Sequence, residues 1–187
     1  MAGDAGRVRL LAAGVAERIA ATETTTGLLA VVRIPPPDPG VVAGATFAVV
    51  ADRVADPGNL GTILRSAEAA GVDAVVVTPG TVDVFNPKVV RASAGALFHV
   101  AVAVASLAEV SAAGLRLVGT SSRHGVPHDV ADWSGRLAIV AGSEAHGLAD
   151  DAPMDDWVRI EHHGRAESLN VAMATTVLCF EAARSRR

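Results

Sequence analysis

At 187 residues, half of them hydrophobic, the chain can build one domain core and a short appendage. Its net charge of −4 argues against binding nucleic acid by bulk charge alone. No apolar run approaches the roughly 20 residues needed to cross a bilayer, and the N-terminus lacks a signal peptide's basic, apolar and small-residue order. A soluble, reducing, cytoplasmic setting is expected, with the single cysteine, Cys179, a buried structural thiol. Charge distribution says more than the total. Fifteen of the sixteen basic residues are arginine, the side chain suited to forked phosphate contacts. Arg53, Arg65, Lys88, Arg91 and Arg123 lie near the stretches of interest, though any one of them could be solvated surface.

In chain order, residues 7–21 read as a helix, with Val8, Leu11, Val15 and Ile19 spaced at three and four. A polar break at 22–26 precedes Leu28–Ile34, an apolar, β-branched run that reads as a strand. Residues 35–40, rich in proline, can continue neither element and form a linker. Residues 1–40 are therefore expected to be an appendage and 41–187 the main body. Within the body, strand-like runs occur at Phe47–Ala51, Ala74–Thr78, His99–Val104, Leu115–Thr120, Leu137–Ala141 and Trp157–Ile160. Helical patterns at 59–71, 87–96 and 106–113 alternate with them. Strands apolar on both faces, separated by helices, indicate an α/β fold: a mostly parallel sheet with helices on both faces. Ligands in such sheets bind at the carboxyl ends of strands.

Three loops could carry chemistry. In Asp56–Arg65, Pro57-Gly58 makes a turn and Asn59 is placed to cap the next helix. Leu60, Ile63, Leu64 and Ala67 form its buried stripe; Thr62, Arg65 and Ser66 fall on another side, so Arg65 is either a surface arginine or one facing phosphate or substrate. In Gly142–Gly147, paired glycines after a strand allow a close backbone approach, and Glu144 could cap a following helix or anchor something polar. This stretch matches neither the dinucleotide fingerprint nor a phosphate-binding P-loop. The third is Ser168-Leu169-Asn170-Val171. Here a helix begins whose Leu169, Met173, Val177 and Phe180 share one face, expected to be buried. Ser168 is either its N-cap or part of a ligand site. His162-His163 suggests a metal, but adjacent histidines on an extended segment point apart, and no cluster has zinc-ligand spacing.

Asn59-x-Gly61-x-x-x-Arg65, Gly142-x-Glu144-x-x-Gly147 and Ser168-Leu169-Asn170-Val171 together resemble, in order and rough spacing, the three signature motifs of SpoU/TrmH-like enzymes of the SPOUT superfamily. The resemblance covers residues 45–184. It implies an RNA ribose 2′-O-methyltransferase acting on ribosomal or transfer RNA and using S-adenosylmethionine. It also implies a homodimer and a C-terminal deep trefoil knot, which general folding rules make rare. Residues 16–34 look like the tail of the small RNA-binding domain that many members carry, so the appendage is expected to be a remnant of that domain.

The resemblance implies a catalytic constellation of Asn59, Arg65, Glu144, Ser168 and Asn170. It places the cofactor on backbone groups at Thr120, Gly142, Ile160 and Leu169; no metal is expected, since no residue cluster has ligand spacing. A ribose hydroxyl is a weak nucleophile and needs a proton acceptor and alignment. Arg65 would either accept that proton or hold the adjacent phosphate, the guanidinium being a poor base. Glu144 would orient Asn59 or Arg65, while Ser168 and Asn170 would position the ribose or the cofactor loop. Glu161-His162 stands where the family usually has Pro-Met, which makes the pocket wall more polar. Two other readings are an RNA-binding relative without turnover and a nucleotide-dependent enzyme on an unknotted, doubly wound sheet.

Overall fold

The computed structural model describes residues 8–20, 26–34, 38, 40–149 and 151–187. The chain divides into two compact units, Met1–Pro36 and Pro37–Arg187. Most of the proline linker (35–37 and 39) and the polar break at 22–25 lie outside the described residues.

In the first unit, the described part of the stretch expected to be helical, residues 8–20, forms a helix over Val15–Ile19 (α1) alone. Gly14, with φ 78°, is left-handed and cannot extend that helix backwards. The strand expected at Leu28–Ile34 does not form. Its backbone finds no neighbouring strand, and Leu28 and Val31 are exposed. A β-prone run without a partner edge stays irregular.

The second unit opens with α2 (Gly40–Gly44) and β1 (Phe47–Ala51). Then come α3 (Pro57–Ala69), β2 (Ala74–Val77), α4 (Pro87–Ala92), a 3₁₀ turn at Ala96–Phe98 and β3 (Ala101–Val104). The chain continues through α5 (Leu107–Ala112), β4 (Arg116–Thr120), a two-residue β5 (Val126–Pro127) and β6 (Leu137–Ala141). It closes with β7 (Asp156–Arg159) and α6 (Val171–Ser185). The strands form one seven-stranded sheet in the order β3-β2-β1-β6-β4-β7-β5, every neighbouring pair parallel.

Alternate strand residues feed two cores, as the pleat requires. Val49, Ala51, Val75, Val77 and Ile139 pack with residues of α3, α4 and α6, whereas Ala48, Val50, Val76 and Val140 pack with Val42 of α2 and Val110 of α5. The expected α/β sheet with helices on both faces is what forms. Gly61 brings α3 close to α4, since a Cβ there would lie 2.3 Å from the Ala92 Cβ. At the amino end of β1, Asp73 Oδ2 accepts hydrogen bonds from the Thr46 and Phe47 N–H groups at 2.8 and 2.9 Å and from the Thr46 hydroxyl at 2.9 Å.

Two expectations about helices are corrected. The face of α6 carrying Met173, Val177 and Phe180, together with Leu169 just before the helix, is exposed, at 64%, 40%, 49% and 40%. The buried face is Ala172, Thr175, Leu178, Cys179 and Ala182. These mostly small side chains let α6 approach α3, where the Ser66 and Thr176 hydroxyl oxygens lie 2.6 Å apart. Ser66 is therefore buried against α6 and does not share an outer side with Arg65.

β7 is inserted between β4 and β5. The Ser121 N–H donates to the Val158 carbonyl at 3.0 Å, and the His128 N–H to the Arg159 carbonyl at 2.9 Å. Gly125 permits this crossing. It has φ 105°, and a Cβ there would lie 2.5 Å from the Trp157 carbonyl oxygen.

Candidate active site

The carboxyl ends of β1, β4, β6 and β7 meet on one side of the unit. The turn after β1 begins with Asp56, whose carboxylate accepts from the Asn59 N–H at 2.8 Å and caps α3, with Pro57 at the first helical position. The cap is thus Asp56, not Asn59 as the sequence suggested, which leaves the Asn59 side chain available. Its amide nitrogen donates to Glu144 Oε1 at 3.0 Å, and its oxygen accepts from Asn170 Nδ2 at 2.9 Å.

Glu144 starts no helix in the loop after β6. It anchors the β1–α3 turn instead, accepting from the Ala55 and Asp56 N–H groups at 3.1 Å each. Partial burial works against its ionisation. Hydrogen bonds from Asn59, its own backbone, Ala55 and Asp56 outweigh that and hold its carboxyl below the ordinary value. Asn170 also caps α6, its side-chain oxygen accepting from the Ala172 and Met173 N–H groups at 2.9 and 3.2 Å. Ser168 is therefore not the cap. One side chain from each of three motifs, Asn59, Glu144 and Asn170, meets in a continuous hydrogen-bonded row.

This row borders a cleft of about 910 Å³. All four residues expected to hold a cofactor, Thr120, Gly142, Ile160 and Leu169, line it, as do Glu144, Ser168 and Asn170. Gly142 is required for a reason the sequence did not suggest. A Cβ there would lie 2.3 Å from the Gly147 carbonyl carbon, so its bare backbone lets the loop fold back on itself as well as face the cleft. The Gly147 N–H closes that loop on the Ser143 carbonyl at 2.8 Å.

Arg65 stands apart. It lies six residues along α3 from Asn59, about 9 Å of axial rise, is exposed, and its side chain makes no hydrogen bond or ion pair with another described residue. It does not line the cleft. Sequence reasoning also missed His124 and Trp157, which line the cleft with ring centroids 4.6 Å apart. Trp157 was legible as a strand residue, but nothing in the sequence pairs it with a loop residue 33 positions earlier.

The profile of the SpoU rRNA Methylase family matches residues 46–180, which spans the whole sheet and the three motif loops. The chain belongs to this family. It is 37% identical over 167 residues to the 23S rRNA (guanosine(2553)-2′-O)-methyltransferase RlmP of Bacillus subtilis, covering 85% of this chain and 65% of that protein. With the 23S rRNA (guanosine-2′-O-)-methyltransferase RlmB of Xanthomonas axonopodis pv. citri the identity is 39%, covering 77% of this chain and 61% of the relative. The chain thus spans just under two thirds of the length of these SpoU relatives. Among solved structures, the SpoU methyltransferase AviRb from Streptomyces viridochromogenes, in complex with the cofactor AdoMet, superposes with a TM-score of 0.74. It is 34% identical, and the match covers 82% of this chain and 64% of that one. The AdoMet-bound rRNA methyltransferase from Sinorhizobium meliloti gives a TM-score of 0.72 at 34% identity, covering 80% and 60%. Among the described residues of this SpoU member, no group of three or more His, Cys, Asp or Glu could hold a metal ion, and no helix is long and apolar enough to cross a membrane.

Proposed function

We propose that this chain is an S-adenosylmethionine-dependent methyltransferase that modifies a ribose 2′-hydroxyl of ribosomal or transfer RNA. The observation that carries the reading is the Glu144–Asn59–Asn170 row at the edge of a cleft lined by Thr120, Gly142, Ile160 and Leu169. The cleft suits the cofactor because bare glycine backbone and small hydroxyls face a volume of about 910 Å³. When bound, the cofactor supplies an electrophilic methyl group on a sulfonium centre.

The protein's part is alignment. Glu144 clamps the β1–α3 turn, which sets Asn59, which in turn holds Asn170 at the start of α6. Asn170 and Ser168, both on the cleft wall, orient the ribose. Arg65, a cation without a protein partner among the described residues, holds the phosphate beside the target nucleotide, and an oxygen of that phosphate takes the proton that the aligned hydroxyl gives up.

The reading extends to assembly. Leu169, Met173, Val177 and Phe180 leave an apolar stripe exposed, which a second copy of the chain would cover in a homodimer. The place of β7 between β4 and β5 supports a threaded, trefoil-knotted path. We assign the first unit, with its exposed Leu28, Val31 and Val32, to an RNA-binding appendage, and the site of action to the cytoplasm, where these RNAs are found.

Calorimetry with S-adenosylmethionine, together with mapping of ribose methylation in total RNA from cells with and without the gene, tests the function. The expected result is donor binding and one modified position that depends on the gene. RNA binding without donor binding would replace this reading with that of an RNA-binding relative lacking turnover.

A further inference from the structure

Ser121, His124 and Trp157 form an ordered group at the cleft that the three motifs do not include. The Ser121 Oγ accepts from the Arg123 and His124 N–H groups at 3.1 and 3.3 Å, which occupies both of its lone pairs. Its proton is then free to go to His124 Nδ1, 3.1 Å away. That arrangement selects the tautomer in which Nδ1 accepts and Nε2 carries the hydrogen. The same imidazole rests on Trp157 at 4.6 Å between centroids, tilted by 55°. Trp157 is itself seated, because a Cβ on Gly119 would lie 2.9 Å from its ring. The imidazole is thus held through Nδ1 and against Trp157, while His124 itself remains exposed and lines the cleft.

We propose that His124, backed by Trp157 and oriented by Ser121, is a stacking platform for the flat heterocyclic base of a nucleoside bound in the cleft. A delocalised ring at a wet cleft wall, already restrained, loses little side-chain freedom when a base lies on it. The Nε2–H adds a donor at the edge of the platform for a ring nitrogen or carbonyl of that base. This deepens the function proposed above and rests on it for the ligand class. The base has two possible sources, the adenine of the methyl donor or an unstacked base of the RNA, and stacking chemistry is shared by both.

Tryptophan fluorescence of the full chain reads the platform directly. Trp133 is buried and away from the cleft, so ligand-induced change reports Trp157. S-adenosylhomocysteine and adenosine should alter the emission while methionine does not, and the change should vanish in Trp157→Phe. That outcome names the donor's adenine as the occupant. A response to a short single-stranded RNA and none to adenosine names the RNA base, and supports the platform equally. His124→Ala should weaken the responding ligand roughly tenfold, and His124→Phe, which keeps a ring, should recover most of that loss. Calorimetric binding of donor or RNA with no change in emission, or with unchanged affinity in His124→Ala, overturns the platform and leaves the proposed function standing. Absence of donor binding in the wild-type chain would count against the proposed function itself, and an RNA response in that case would still uphold the platform.

Discussion

Glu144 and Asn59 lie 85 positions apart in the chain and are joined by a 3.0 Å hydrogen bond between side chains. The same carboxylate holds two backbone N–H groups of the turn on which Asn59 sits. One residue of the β6 loop therefore sets both the turn and the side chain it presents.

Replacing Glu144 with glutamine puts an NH₂ group where one of three donors must be accepted. At a partly exposed site the expected loss of stability is about 1 kcal/mol. The loss in methyl transfer should be larger, about tenfold to hundredfold in kcat, because alignment is what the row provides. Single-turnover transfer from labelled donor measures it, and an unchanged rate would remove Glu144 from the site.

Arg65→Ala should leave both stability, within about 0.5 kcal/mol, and donor affinity unaltered, because the side chain is exposed and does not touch the cleft. Methyl transfer should be lost, and calorimetry beside an activity assay separates the two effects. Turnover at the wild-type rate would take Arg65 out of the reaction.

Gly61→Ala sets helix propensity against packing. Alanine in mid-helix normally gains about 1 kcal/mol over glycine, but here its Cβ would overlap the Ala92 Cβ and crowd the Ser93 N–H. Overpacking of about 1–3 kcal/mol should prevail, giving a net loss visible as a lower Tm. A higher Tm would mean that α4 yields more easily than its contacts suggest.

Much of this architecture could be read from the residues alone. Parallel strands covered on both sides are continuous apolar runs, and six of the seven were found. The two-residue β5 is too short to leave a pattern. Spacing at three and four identified a face of α6 but could not say which face another element covers. The sheet and α3 took the side with Ala172, Thr175, Cys179 and Ala182, because small side chains allow close approach. Asp56 and Asn59 are both good caps, and Pro57 at the first helical position favours Asp56, a signal present in the sequence and passed over. The meeting of Asn59, Glu144 and Asn170 rests on chain path, which no local pattern encodes.

Acid should weaken the fold partly through Asp73. Burial raises its pKa, but hydrogen bonds from Thr46 and Phe47 and the charge of Arg186 more than offset this, so the folded value lies below the unfolded one. A depressed carboxylate stabilises fully above its unfolded pKa of about 4 and loses that contribution as pH falls through the lower folded value. Urea midpoints at pH 7 and pH 3 should therefore differ more for the wild type than for Asp73→Asn. Equal differences would show that this carboxylate contributes nothing to the pH dependence.

Cys179 should be inert in the native protein. Burial in α6 pushes its thiol up to about 12, so almost no thiolate exists at pH 8. A disulfide reagent should label no cysteine in the folded chain and one after denaturation.

The berth of β7 has a consequence for biosynthesis. A ribosome makes β4 and β5, the two sides of that berth, before it makes the strand that fills it. Until β7 is made, β5 has no strand edge to join, and the Ser121 and His128 N–H groups bond to water. The segment that follows β7, bearing Asn170 and the start of α6, is made later still. The Glu144–Asn59–Asn170 row and the sheet thus both wait on residues made after β5.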